Sequence, residues 1–112
     1  MLLSEACERF DKYLESIDRS PSTIERYTRD MTFIRKYLEE KANGPVFVDE
    51  ITEQDLEDFM LYLKDERDFA PNSRSRYFYT LRSFYKYAEK KDLVEKDIAA
   101  RTEFIQQYFS EP

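Results

Sequence analysis

The sequence predicts an all-α fold, a bundle of four helices with the makings of a short fifth at the C-terminal end. Three features point there. One glycine and four prolines punctuate 112 residues, which suits long helices joined by short loops and argues against a many-stranded β protein. Apolar residues recur at i, i+3, i+4 and i+7 in four separate segments. Each of those segments is bounded by a capping residue or a helix breaker.

Leu3 to Ile17 is the first helix, with Leu3, Ala6, Cys7, Phe10, Tyr13, Leu14 and Ile17 on one stripe. "DRSPST" interrupts it. Ser20 is placed to cap the second helix, with Pro21 at its first position, where a missing N–H costs nothing. That helix runs from Pro21 to Lys41 on a stripe of Ile24, Tyr27, Met31, Ile34 and Leu38. "ANGP" ends it, with Gly44 expected at positive φ and Pro45 blocking continuation. "VFVDEI" follows as a connector expected to tuck Phe47 and Ile51 into the core. Thr52 caps the third helix, Glu53 to about Glu66, with Asp55 adding favourable negative charge in its first turn. Leu56, Phe59, Met60 and Leu63 are its stripe. After "DFAPN" the fourth helix starts near Ser73, with Tyr77, Leu81, Phe84 and Ala88 inward, flanked by Phe78 and Tyr85. "KKDLVEKDIAA" turns, and Ala99 to Phe109 is the candidate fifth helix.

Composition removes several classes of function. Hydrophobic residues make up 41% of the chain, including nine Phe and nine Tyr, so a packed core is expected despite 38% charged residues. The length suits one domain. The single cysteine, Cys7, has no internal disulfide partner and reads as a small core residue. With no histidine and one cysteine, the commonest general base and a zinc site are both missing. Glu53, Glu57 and Asp58 have nothing converging with them that would hold Mg²⁺. No nucleophile–base pair and no Gly-rich phosphate loop can be assembled. Neither catalysis, a cofactor nor a metal is therefore expected of this chain. No apolar run approaches the ~18 residues that span a bilayer, and the N-terminus lacks the order of a signal peptide, so a soluble cytoplasmic protein is expected.

Charge is unevenly placed. The net charge is -6. Residues 46–68 carry nine acidic and two basic groups, whereas residues 71–91 carry six basic and one acidic. "NSRSRYFYTLRSFYKYAEKK", Asn72 to Lys91, also holds six aromatic residues. On a helical wheel its rings fall mostly inward, while Ser75, Tyr79, Arg82, Lys86 and Lys90 form the outward row, flanked by Arg76 and Ser83, with Arg74 in the first turn. Cations about one turn apart can track a phosphate backbone. The first-turn N–H groups near Asn72 and Ser73 suit a further phosphate, and Tyr79 can stack or bond to a sugar-phosphate oxygen. On the second helix, Arg26 and Arg29 share the outer face with Ser22 and Thr23. The bland alternative is a pair of solvated helix faces over an ordinary aromatic core.

The order of these segments resembles the N-terminal core-binding domain of tyrosine recombinases, the phage integrase family. "SPSTIERYTRDMTFIRKYL" is similar to that domain's second helix, through Ser22, Thr23, Ile24, Tyr27, Asp30 and Met31. "VDEITEQDLEDFMLYL" looks like its third helix. "NSRSRYFYTLRSFYKYAEKKDLVEKDIA" looks like its fourth helix and exit, with Arg76, Leu81, Arg82, Phe84, Tyr85 and Tyr87 at matching positions. The family usually has Asn-Pro or Asp-Pro where this chain has Asp97-Ile98, a departure that bears on the exit path.

The resemblance implies a SAM-like bundle of four helices, two hairpins packed crosswise. It implies a DNA clamp working beside a separate C-terminal catalytic domain, with residues 1–98 as the core-binding domain and 99–112 as the start of the linker. Duplex DNA, that catalytic domain and other recombinase protomers are the implied partners. The DNA-contacting residues expected are Ser22, Thr23, Arg26, Arg29, Asn72, Ser73, Arg74, Arg76, Tyr79, Arg82, Lys86 and Lys90, mainly through phosphate. The alternative is a helical protein–protein interaction module of the same fold without DNA binding.

Overall fold

A computed structural model describes residues 1–101 of the chain. Five helices follow one another: α1 Leu3–Ser16, α2 Pro21–Ala42, α3 Glu53–Asp65, α4 Pro71–Lys90 and α5 Ile98–Arg101, with a 3₁₀ turn at Val48–Glu50 ahead of α3. The rest of the expected fifth helix, residues 102–109, lies outside the described residues. The fold is all-α, as the sequence predicts, and α1/α2 and α3/α4 are the two hairpins.

Most boundaries follow from local chemistry. Ser20 Oγ accepts the Thr23 N–H at 3.3 Å, with Pro21 at the first position of α2. Thr52 and Asp55 cap α3 reciprocally: the Asp55 N–H donates to Thr52 Oγ1 at 3.1 Å, and the Thr52 N–H to Asp55 Oδ2 at 2.9 Å. Asp97 Oδ1 accepts the Ala100 N–H at 3.0 Å, so α5 opens at Ile98 with a side-chain cap from the residue before it.

Gly44 takes positive φ, 159°, as expected, and Asn43 before it is left-handed as well, with φ 62°; the Gly44 N–H closes the helix end on the Glu39 carbonyl at 3.0 Å. Two expectations are corrected. Phe47 is 44% exposed rather than buried. The chain N-terminus pairs with this connector: the Leu3 N–H donates to the Val46 carbonyl and the Val48 N–H to the Met1 carbonyl, at 2.8 and 2.9 Å. Extended backbone alternates its side chains, so Val46 and Val48 turn inward and Phe47 outward. Finally, α4 starts at Pro71, two residues before Ser73, because proline at the first position needs no partner for its nitrogen.

Aromatic contacts join the hairpins. Phe10 of α1 is 1% exposed and lies 5.7 Å from Tyr27 of α2 and 5.5 and 5.4 Å from Phe84 and Tyr87 of α4, between ring centroids. Burying such a ring stabilises by roughly 1.5–3 kcal/mol, with a further ~0.5–1.5 kcal/mol from well-placed ring pairs. Leu56, Phe59, Met60 and Leu63 close the α3 side.

One polar clasp crosses this interior. Asp30 of α2 is 1% exposed. Its Oδ1 accepts from Arg76 Nη2 at 3.0 Å and its Oδ2 from Thr80 Oγ1 at 2.9 Å, both on α4. Both oxygens of a buried carboxylate are thus engaged, which is what its burial requires. Nearby, Tyr27 Oη and Ser83 Oγ share a hydrogen bond at 3.3 Å.

Asp30→Ala is expected to cost about 2–3 kcal/mol in a urea titration, because it strands the buried Thr80 hydroxyl and releases Arg76. Asp30→Asn, which keeps one acceptor oxygen, should cost about half as much; equal, negligible losses from both would contradict the clasp. Burial pushes the Cys7 thiol from 9.0 up to about 12, with Arg35 only partly offsetting it. Iodoacetamide at pH 8 should therefore label Cys7 at least about tenfold more slowly in the folded chain than in urea. Equal rates would show that the thiol is not held in the interior.

Candidate nucleic-acid interface

Helix α4 carries the cations because its inward and outward faces have separate tasks. Tyr77, Phe78, Thr80, Leu81, Phe84, Tyr85, Tyr87 and Ala88 are buried. Tyr79, Arg82, Lys86 and Lys90 are exposed. From Arg76 to Lys90 the row covers about 21 Å at the α-helical rise. Burial also pushes the phenols of Tyr77 and Tyr87 above their ordinary range, so both stay neutral.

The lie of α2 on α4 decides whether a second cationic row joins the first. Tyr27 meets Ser83, Asp30 meets Thr80 and Arg76, and Phe33 meets Tyr77 at 5.3 Å between ring centroids. Numbers rise along α2 as they fall along α4, so the helices run antiparallel along one seam. On α2, stepping from buried Met31 across Asp30 leads to Arg26, Ser22 and Arg29, whereas Thr28 on the other side bonds to Asp11 of α1 at 3.0 Å. On α4, stepping from Leu81 and Phe84 across Thr80 and Ser83 leads to Tyr79, Lys86, Asn72 and Lys90. Both sets rotate out to the solvent side of the same seam.

Each expected residue has a definite setting there. Ser22 is exposed and Thr23 half-buried; Ser20 Oγ donates to Thr23 Oγ1 at 2.9 Å and lies 3.3 Å from Ser22 Oγ, which gathers three hydroxyls at the start of α2. The Arg26 guanidinium lies 4.9 Å from the Tyr27 ring centroid. Arg29 pairs with Glu25 at 3.6 Å on an open surface, 68% and 74% exposed, a contact worth about 0–1 kcal/mol and readily exchanged. Asn72 is exposed and Ser73 half-buried in the first turn of α4, where no side chain caps the free N–H groups. Lys90 sits 6.0 Å from the Tyr13 ring centroid.

Three arginines depart from a simple outward row. Arg74 folds back, with Nη1 donating to the Phe69 carbonyl at 2.7 Å. Arg76 is committed on one edge to Asp30 and lies 4.8 Å from the Tyr77 ring centroid, although its side chain remains 42% exposed. Arg82 lies furthest round α4 from the α2 seam.

Sequence reasoning missed Asp30 and Thr80 as the pair that sets Arg76, although an apolar stripe interrupted by Asp at the seam was a legible signal. It also missed Arg67, hidden in the most acidic segment. Among the described residues no three Cys, Asp or Glu side chains form a group able to hold a metal ion, and no helix is long and apolar enough to cross a membrane.

Comparison with known proteins agrees with this architecture. The family model of the phage integrase SAM-like domain matches residues 4–105. Among curated relatives, the tyrosine recombinase XerC of Leptospira interrogans serogroup Icterohaemorrhagiae serovar copenhageni is 30% identical over 103 residues, covering 91% of this chain and 32% of its own. The tyrosine recombinase XerC of Lacticaseibacillus casei is 36% identical over 107 residues, covering 92% of this chain and 34% of its own. No solved structure gives a significant match. The chain spans about a third of the length of the curated relatives it matches. From the family match over most of its length, the all-α bundle and these relatives, the chain belongs to the phage integrase SAM-like domain family.

Proposed function

We propose that this chain is the DNA-gripping core-binding domain of a site-specific tyrosine recombinase. It holds duplex DNA mainly through phosphate contacts from α2 and α4 and supplies no reacting group. The observation that carries this reading is the shared solvent side of the α2–α4 seam, where Arg26 and Arg29 face the same water as Lys86 and Lys90. Two antiparallel helices presenting cations along one side match the regular charge of a duplex backbone better than a single row does.

The remaining expected residues take parts in the same grip. Ser22, Thr23, Asn72 and Ser73 offer hydroxyl, amide and helix-start N–H groups to phosphate oxygens. Tyr79, 54% exposed, offers a ring and a hydroxyl beside them. Arg74, Arg76 and Arg82 add charge at the flanks. Few Asn or Gln side chains line this surface to read base edges, so positioning outweighs sequence readout.

The relatives' greater length supports placing the bond-breaking chemistry in a further, C-terminal domain. Residues 99–112 would then begin the linker, and other protomers would assemble on the same DNA. With a net charge of -6, the domain alone should bind weakly and with steep salt dependence.

A salt series with a ~30-bp duplex tests the proposal. Log affinity should fall with log salt at a slope of about -4 to -6, as expected for five or so phosphate contacts. Arg82→Glu and Lys86→Glu should each weaken binding by about tenfold or more. No duplex binding at ~50 mM salt, with a protein captured through the exposed Phe47 and Leu61 instead, would favour the interaction-module alternative.

A further inference from the structure

We infer that Arg67, in the loop between α3 and α4, is an additional phosphate-contacting residue that extends the grip past the N-terminal end of α4. The inference rests on the DNA-binding reading above and deepens it. Arg67 belongs to the segment with the strongest negative charge, yet its guanidinium is turned towards α2. It lies 5.1 Å from the Phe33 ring centroid and 5.3 Å from that of Phe69. Its Nη1 donates to Tyr62 Oη at 3.3 Å.

The setting is fixed at every level. The Arg67 N–H donates to the Tyr62 carbonyl at 3.0 Å and the Phe69 N–H to the Leu63 carbonyl at 2.9 Å. Asp68 between them adopts φ 54°, so the loop closes tightly over the end of α3. Phe69, Phe33 and Tyr77 form a run of rings, 6.2 Å from Phe33 to Phe69 and 5.9 Å from Phe69 to Tyr77, with planes 25° and 21° apart. A guanidinium resting against such rings loses less freedom on meeting a phosphate, and its remaining N–H groups can donate to the two oxygens.

The location matches the seam. Phe33 is one helical turn beyond Arg29 on the outer side of α2, so Arg67 above it continues the line of Arg26 and Arg29. Arg67 is exposed, and among the described residues no carboxylate lies within salt-bridge distance of it. Of its cationic neighbours along the seam, Arg76 is committed on one edge to Asp30, and Arg29 makes an exposed, exchangeable pair with Glu25. The adjoining cleft, about 410 Å³, is lined by Lys36 and Lys41 as well as Glu40 and Glu66. Lys36 and Lys41 balance Glu40 and Glu66 there, so the Arg67 guanidinium itself leaves the lining of this cleft net positive.

The test compares the unaltered chain with Arg67→Gln, Arg67→Lys and Lys86→Glu on a ~30-bp duplex across a salt series. Arg67→Gln should weaken binding by about tenfold and flatten the salt slope by about 1. Arg67→Lys, which keeps the charge but not the forked guanidinium, should keep most of the slope. A purely structural role would lower the urea midpoint of Arg67→Gln and leave the slope untouched, and that result overturns the inference. Loss of binding in Lys86→Glu with no effect of Arg67→Gln would overturn the inference while sparing the DNA reading. No duplex binding by the unaltered chain would overturn both.

Discussion

The buried carboxylate of Asp30 sets how α2 lies along α4. A carboxylate at 1% exposure is tolerable only while both oxygens are bonded, and the two bonds come from residues four apart on α4, Arg76 and Thr80. That spacing is one turn of helix, so the clasp fixes rotation as well as distance. Apolar packing alone would tolerate a slide or a twist of one helix against the other. A directional polar contact in a desolvated seam does not. Everything proposed for the outer surface depends on that rotation, because turning α2 by one residue would swing Arg26 and Arg29 away from Lys86.

Rings supply the rest of the rigidity. The chain has eighteen Phe and Tyr residues together, and Phe10, Phe33, Phe59 and Tyr77 each touch several others. In a domain of this size the core is small, and large flat side chains bury much area per residue. The same rings also serve the surface: Tyr27, Tyr77, Phe33 and Phe69 sit under Arg26, Arg76 and Arg67. Interior packing thereby limits the freedom of guanidinium groups that face solvent, which would lower the entropy cost of the phosphate contacts proposed for them.

Period and punctuation made the helices legible. The Ser20–Pro21 start, the Thr52–Asp55 box and the inward stripe of α4 are local signals, and local signals survive folding. What failed was non-local. Phe47 reads as core only until Met1 and Leu2 pair with the connector and set its alternation. Gly44 does take positive φ, but the left-handed residue that ends α2 is Asn43, which tolerates that conformation. Arg76 stood in the cationic row by wheel geometry, and only the fold shows half of its guanidinium turned to Asp30. Arg67 was masked by averaging, since nine acidic residues in its segment hide one cation that a loop carries across to α2.

On the proposed reading, duplex DNA meets the solvent side of the α2–α4 seam. Backbone amide chemical-shift mapping during titration with a duplex tests it most directly, since it reports position without any substitution. Shifts should concentrate at Ser22 to Arg29, at Asn72 to Arg76, and at Tyr79, Arg82 and Lys86, with little change at Glu57 and Leu61 on the outer face of α3. Shifts centred on α3 and the Phe47 connector, with the α2 and α4 amides unmoved, would contradict it.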